Sequence, residues 1–486
     1  MAIFLIARGN RKMKVFHMKK YCKFHVFITI CYFGLYLAVG ISLLVMQPFG
    51  NPPDEYNRYL IPRYIAETGN LPNGYEEAVR IPGYGFSYAF QPILPYMLQG
   101  YAMRFAGLFT DSPTAMLYTA RAVNLVLGLA MAWVVLLLSG KWFRDRRARW
   151  VFAFLATFLP QGIFLHTYVN TDSCCMLSIA LMLYGLTLGL ESGFSRTSSL
   201  IMSTGIILCA LSYYNAYGYI LSCILLFTAF HLTGSGRNIR FDVKNFMKKG
   251  VFISLIVLAG IAWWFIRSAI LYEGDFLGLQ TRNHCAALYS APEYDPELCL
   301  TWKKQGYSLW DMLRKSDFIN LSILSFIGIF GPMSIVTSVW VYRFYKTLFF
   351  LGTASCLFLG RRSRTSVPSA GKNRDGLRIF YHINMVFCMV MPLCLSLVYS
   401  YSTDFQPQGR YLLPALLPLC YYTVRGLEKL LRLLLRKCPE KTLQDACSCI
   451  ALLCCLLITG MLLLTVYGYA FPYYAANPVA LSAFLP

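Results

Sequence analysis

A chain of 486 residues with 57% hydrophobic and only 14% charged side chains cannot cover itself as a soluble protein does, since soluble domains carry about 25% charged residues. That excludes a cytosolic enzyme and a disordered chain. The 44 Lys and Arg against 22 Asp and Glu give a net charge of +22, and the placement of those charges assigns them to membrane topology, with no nucleic-acid partner.

A bilayer core takes about 20 apolar residues per helix. Backbone groups in lipid must be satisfied within the segment, so runs this apolar predict helices and not barrel strands. In chain order the runs fall at 24–46, 113–140, 150–166, 173–190, 199–214, 217–233, 250–270, 340–360, 379–400, 411–425 and 447–470. The stretch 199–233 reads either as two spans or as one long re-entrant pair. The first run is too long for a signal-peptide core, and no small-residue cleavage site follows it, so it reads as a retained anchor. The expected fold is an all-α polytopic membrane protein of about eleven transmembrane helices, forming a single integral-membrane domain over 1–486.

Orientation follows from the bias of Lys and Arg toward cytoplasmic loops. Arg8, Arg11, Lys12, Lys14, Lys19, Lys20 and Lys23 precede the first span without an acid, which places the N-terminus inside and, after eleven spans, the C-terminus outside. The loops at Lys141–Arg149, Arg237–Lys249, Arg361–Arg378 and Arg425–Lys441 then fall inside as well. This topology puts 30 basic and 7 acidic residues inside, against 14 basic and 15 acidic outside, so the whole net charge is the orientation signal.

Two external segments, 47–111 and 271–339, are too long to be simple connections. The first holds Pro52, Pro53, Pro62, Pro72, Pro82, Pro92 and Pro95, and both are expected to lie along the outer membrane surface as amphipathic helices. Most of the 17 cysteines sit in spans or cytoplasmic loops, where Cys behaves as a small hydrophobe. Only Cys285 and Cys299 share an external loop, and they read equally as a disulfide or as two free thiols. No internal repeat, Gly-rich phosphate loop or Cys-x-x-Cys with His occurs; no obligatory cofactor is expected, and a divalent metal stays an alternative.

Five polar clusters fall on the external side. Asn51-Pro52-Pro53-Asp54-Glu55-Tyr56-Asn57-Arg58 follows the first span; taken alone, its acids cap a helix that starts at Pro53. His166-Thr167-Tyr168-Val169-Asn170-Thr171-Asp172 reads alone as a connecting turn. Trp263-Trp264-Phe265-Ile266-Arg267 reads as an interfacial belt with a snorkelling arginine. Ser325 to Gly331 offers glycines for close packing or a break. Gln406-Pro407-Gln408-Gly409-Arg410-Tyr411 sets an arginine at the membrane boundary. The charge rule that fixed orientation is blind to these motifs, yet all five land outside. Carboxylates can take a proton from a hydroxyl, and guanidinium forks bind phosphate. Together they suit a lipid phosphate head group.

Pro52-Pro53-Asp54-Glu55, the Asn170–Asp172 turn, Trp264 to Arg267 with the Leu-Tyr-x-Gly-Asp stretch after it, Ser325 to Gly331 and Gln408-Gly409-Arg410-Tyr411-Leu412-Leu413-Pro414 occur in an order that resembles a bacterial family of multipass proteins in the GT-C glycosyltransferase superfamily. The resemblance covers about 27–471. It implies sugar transfer from a polyprenyl-phosphate donor to a cell-envelope acceptor (glycan, lipid or protein) on the outer face of the bacterial cytoplasmic membrane. It makes Asp54 the catalytic base with Glu55 the alternate, and gives the donor phosphate to Arg58, Arg267 and Arg410. Asn170, Asp172, His166, Glu76, Glu77, Gln408 and Tyr411 are expected to contact sugar or acceptor, or to brace the loop. Relatives often carry His three positions after the Glu where this chain has Arg58, so histidine chemistry or metal ligation is not expected there. The alternatives are a flippase or transporter of lipid-linked saccharides, and a polymerase or ligase using a diphosphate-linked donor.

The topology has a direct check. Membrane-impermeant thiol labelling from outside should reach Thr403→Cys and Ser316→Cys but not Ser363→Cys; the reverse pattern would overturn the orientation.

Overall fold

Apolar runs leave a chain in lipid no partner but its own backbone, and each run folds as a helix or as a helical pair broken by proline. A computed structural model describes residues 26–233, 240–295, 298–359 and 374–478. The basic N-terminal stretch, most of the Arg361–Arg378 loop and Ser363 lie outside the described residues.

The first half comprises α1 (Val26–Met46), α2 (Glu55–Thr68), α3 (Leu94–Ala106), α4 (Pro113–Trp142), α5 (Arg146–Thr157), α6 (Pro160–Leu165), α7 (Asp172–Ser192), α8 (Arg196–Ala210) and α9 (Tyr217–Phe230). A short antiparallel pair, β1 (Leu232–Thr233) with β2 (Arg240–Phe241), leads to α10 (Val243–Leu271). The segment 271–339 carries α11 (Leu279–Tyr289), α12 (Leu309–Lys315) and α13 (Phe318–Gly328), then the hairpin β3 (Ile329–Phe330) with β4 (Ile335–Val336). The chain ends through α14 (Val339–Phe358), α15 (Arg374–Ser402), α16 (Leu416–Leu434), α17 (Glu440–Thr465) and α18 (Phe471–Ala476).

Among the described residues, six helices are long and apolar enough to cross a membrane: α1, α4, α7, α10, α15 and the α17–α18 run; α8, α9 and α13 are shorter apolar helices. Two expected spans are built differently. The run 150–166 is split between α5 and α6 at Pro160, which lacks an N–H and holds Leu159 in an extended conformation. At 411–425, the residues Gly409–Ala415 wind as a tight 3-10 turn, and the α-helix begins only at Leu416.

Side-chain size decides how closely the helices approach. The buried helix α7 packs between α4 and α8, whereas α10 leaves most of its surface uncovered. A Cβ added at Gly426 of α16 would collide with the Gly352 carbonyl of α14, and one at Gly352 would sit 2.6 Å from Thr423. These two helices therefore meet backbone to backbone, as small residues allow in lipid.

The segments 47–111 and 271–339 pack on the apolar helices and on each other. Phe49, Tyr59, Ile61, Ile65, Ile93, Tyr96 and Met103 form a second hydrophobic cluster with Leu117 of α4, Val169 and Trp264 of α10. The two segments also pack on each other: Ala291 N–H donates to the Gly83 carbonyl at 2.8 Å, and Arg80 stacks 4.2 Å over the Tyr289 ring.

Gly426→Ala should cost about 1–3 kcal/mol, the usual cost of overpacking, read as a lower thermal midpoint in detergent. Gly460→Ala, whose new methyl meets nothing within 4 Å, should leave the midpoint unchanged or raise it.

Candidate active site

Asp54 and Glu55 are adjacent in sequence and go to opposite surroundings. Glu55, the first residue of α2, is fully buried against Arg121 of α4. Arg121 Nη2 lies 2.6 Å from Glu55 Oε2 and Nε 2.8 Å from Oε1, a bidentate fork. The backbone N–H groups of Val169 and Gly50 donate to the same carboxylate. Arg121 also donates to the carbonyls of Leu44, Gln47 and Pro48. One ion pair thus ties α1, α2, α4 and the turn before α7.

Asp54 sits just before α2 with φ of 61°, a left-handed conformation that Asp tolerates better than most residues. Its carboxylate does not cap the helix. It turns instead to Arg410, whose Nη2 lies 2.5 Å from Oδ2, and to Arg58, whose Nη2 lies 3.7 Å away. On its far side Arg58 reaches Asp172 Oδ2 at 3.5 Å and donates to Thr171 Oγ1 at 3.2 Å. Arg410, Asp54, Arg58 and Asp172 therefore form a row of alternating charge. Asp54 is one-third exposed, whereas the Arg58 and Arg410 side chains are 5% and 3% exposed, so the row opens at Asp54. Burial would push the Asp54 carboxyl up, but the guanidiniums of Arg410 and Arg58 outweigh it and hold it below the ordinary carboxylate range.

Aromatic rings line the row. Arg58 stacks 5.3 Å over Tyr88, and Arg410 5.0 Å over Tyr411. Tyr411 accepts from Arg410 Nη2 at 3.1 Å and donates to Gln406 Oε1 at 2.5 Å. Burial against this row pushes the Tyr96 hydroxyl up to about 12.

Glycine and serine place Arg410. A Cβ at Gly409 would collide with the backbone of Phe326 in α13, and Gly409 N–H donates to Ser325 Oγ at 2.5 Å. Gly331, with φ of 61°, leaves room for Asn51 Oδ1, which a Cβ there would meet at 2.7 Å. The motif around 325–331 thus docks the motifs that carry Arg410 and Asp54.

Asn170 braces the turn into α7: its Nδ2 donates to the carbonyls of Leu165 and Tyr168, and its Oδ1 accepts from Ser173 N–H. His166 is buried away from the charge row, against Gly128 of α4. Glu76 accepts from the backbone of Asn73 and Gly74, and Glu77 is exposed. Gln408 buries an Oε1 that has no hydrogen-bond partner.

Arg267 does not join the row. Its Nη2 donates to the Pro72 carbonyl at 2.8 Å, it stacks 5.2 Å over Trp264, and it lines a separate groove of about 540 Å³ with Leu71, Trp263 and Ile270. Cys285 and Cys299 are two free thiols, one of the two readings their sequence allowed. Cys285 is a free thiol buried with Phe90 and Tyr272, while Cys299 is an exposed free thiol beside the Thr403 carbonyl. Among the described residues, no group of three or more His, Cys, Asp or Glu gathers.

Residues 76–419 match the family described as predicted membrane protein (DUF2142). The chain belongs to that family. No curated protein matches its sequence. Among solved structures, it is similar to the archaeal oligosaccharyltransferase AglB from Archaeoglobus fulgidus in complex with an inhibitory peptide and a dolichol-phosphate, at 15% identity and a TM-score of 0.48 over 90% of this chain and 56% of that one. It is also similar to ArnT from Cupriavidus metallidurans bound to undecaprenyl phosphate, at 14% identity and a TM-score of 0.48 over 92% of this chain and 74% of that one. This chain of the DUF2142 family spans little more than half the length of the oligosaccharyltransferase.

Breaking a buried pair from one side leaves an uncompensated charge, which costs about 3–5 kcal/mol. Arg121→Met should therefore lower the thermal midpoint strongly or abolish folding, measured on purified protein in detergent. Asp54→Asn, at the partly exposed position of the row, should shift it far less.

Proposed function

We propose that this protein is a membrane glycosyltransferase that moves a sugar from a polyprenyl-phosphate donor to a cell-envelope acceptor at the extracytoplasmic face of the bacterial cytoplasmic membrane. The observation that carries this reading is the charge row: a partly open carboxylate held ionised between two buried guanidiniums, next to a turn that starts a membrane helix.

In this reading Asp54 is the base. An acceptor hydroxyl gives its proton to an Asp54 carboxylate oxygen as its own oxygen attacks the anomeric carbon. The bond from that carbon to the carrier phosphate oxygen breaks, and the electron pair leaves with the lipid phosphate. Arg410 and Arg58 border the place where that charge grows, and preorganised donors there act most strongly in a site poor in water. Asp172 and Thr171 hold Arg58 in place. Glu55, with both oxygens engaged, is assigned to anchoring the loop and not to proton transfer. Arg267, bound to a loop carbonyl outside the row, is given no part in this step. No metal is given a role, because each carboxylate of the row already faces a guanidinium.

Transport draws little support from the site. A transporter keeps ionisable groups available near mid-membrane, and the charge set within a span, Arg121, is consumed by Glu55 and three carbonyls.

Asp54→Asn should lower transfer by about 10²-fold or more, the usual worth of a positioned base, in membranes supplied with lipid-phosphate sugars and with expression unchanged. Undiminished transfer would remove Asp54 from the chemistry. Because its two arginines depress the carboxyl, any activity that depends on its ionised form should persist below the ordinary carboxylate range, about pH 4, and fall only as the pH drops through the lowered value.

A further inference from the structure

The row Arg410–Asp54–Arg58–Asp172 is balanced, two acids against two arginines, and most of the terminal nitrogens of its guanidiniums already face protein. Arg410 Nη2 is held by Asp54 and Tyr411, and its Nη1 lies 3.4 Å from the Pro53 carbonyl. Arg58 Nη1 is held by Thr171 and Asp172. A dianionic phosphate leaving a sugar calls for a cation that the protein has not already neutralised.

Arg282, on α11 of the segment 271–339, has that character. The α11 helix packs on the 3-10 turn Tyr88–Phe90, which also packs on α2. Gly278, at the start of α11, has φ of 69°, and a Cβ there would collide with the Phe90 carbonyl, which fixes the approach. The Arg282 guanidinium stacks 4.5 Å over Phe86; Phe86 lies 5.9 Å from Tyr88, and Tyr88 lies under Arg58. Phe86 and Tyr88 thus form one aromatic wall that runs from Arg282 to Arg58 of the charge row. Tyr399 of α15 lies within electrostatic reach of both Arg282 and Asp54. Arg282 is ordered rather than trailing in solvent: its Nε is buried without an acceptor. Among the described residues no carboxylate pairs with it. Asp275, the acid nearest along the chain, is turned to the N–H and hydroxyl of Thr281, and Asp404 takes Gln406 Nε2.

We infer that Arg282 is the residue that grips the phosphate of the lipid carrier, from the same aromatic wall that carries Arg58. This rests on the lipid-phosphate donor proposed above. It places the main phosphate contact on α11, outside the row that holds Arg58 and Arg410.

The test is binding of farnesyl phosphate, with farnesol as the same tail lacking the phosphate, to the full chain purified in detergent. Wild type should bind farnesyl phosphate more tightly than farnesol, and inorganic phosphate should compete only at far higher concentration. Arg282→Gln should weaken farnesyl phosphate about tenfold or more, the scale of a lost charge-assisted fork, without changing farnesol binding, which also reports that the variant is folded. Arg282→Lys should recover part of the loss, and Arg267→Gln should match wild type. Equal binding of farnesyl phosphate by wild type and Arg282→Gln would overturn the inference while leaving the donor class intact. Equal binding of farnesol and farnesyl phosphate by wild type would overturn the donor class, and the inference with it. Competition by inorganic phosphate at the same concentration as the lipid would replace a lipid-carrier site with a free-anion site.

Discussion

The fully buried pair of Glu55 and Arg121 is the constraint on which the charge row depends. Neither charge has water, so each must be satisfied by protein or its burial would cost several kcal/mol. The arginine fork meets this with one carboxylate and three carbonyls, and the carboxylate meets it with two backbone N–H groups besides. Those partners come from the end of α1, the start of α2, the middle of α4 and the turn before α7. A single pair therefore sets the position of the loop that carries Asp54. Lysine could not replace Arg121, because a point charge lacks the planar fork that bonds a carboxylate and carbonyls at once.

The same anchor explains why two neighbouring acids differ. With Glu55 drawn inward, the chain must turn sharply at Asp54, and it does so through a left-handed residue. Strain of this kind persists only where the surroundings over-determine it. Here they do, with Glu55 fixed on one side and the short contact to Arg410 on the other. Arg410 is in turn placed by backbone contact between Gly409 and α13, where no side chain has room. The glycine-rich stretch after Ser325 has no titratable group; it contributes the shape against which the chemically active segments are set.

Much of this was legible in the sequence. Hydropathy marked the helices, and the order of polar clusters picked out Asp54, Arg58, Asp172 and Arg410, which the structure brings into one row. Arg58 falls one helical turn after Asp54, so that contact follows from local geometry. Other features were not legible, for physical reasons. Adjacent carboxylates point to different sides of a chain, and nothing local states which side is buried; that depended on Arg121, 66 positions away. Arg267 resembled a site residue because span ends favour arginine for two unrelated reasons, snorkelling and ligand binding. Cys285 and Cys299 share a loop, yet α11 buries one among aromatic rings and leaves the other exposed. Arg282 gave no signal, since its neighbours form no motif and its role arises only when α11 packs across the first segment.

Alternating charge along the row also bears on the proposed chemistry. A carboxylate flanked by two guanidiniums stays ionised, but its lowered proton affinity makes it a poor base on its own. An anionic lipid phosphate entering beside Arg410 and Arg58 would share their charge and loosen their hold on Asp54. The proton affinity of Asp54 would then rise when the donor is in place, and not before. Such an arrangement couples readiness for proton transfer to occupancy of the site, and it favours reaction with the acceptor only after the sugar donor is bound. It also separates two duties among the arginines. Those within the row tune the base, while a guanidinium outside it, free of acidic partners, can hold the phosphate without first surrendering a contact on which the base depends.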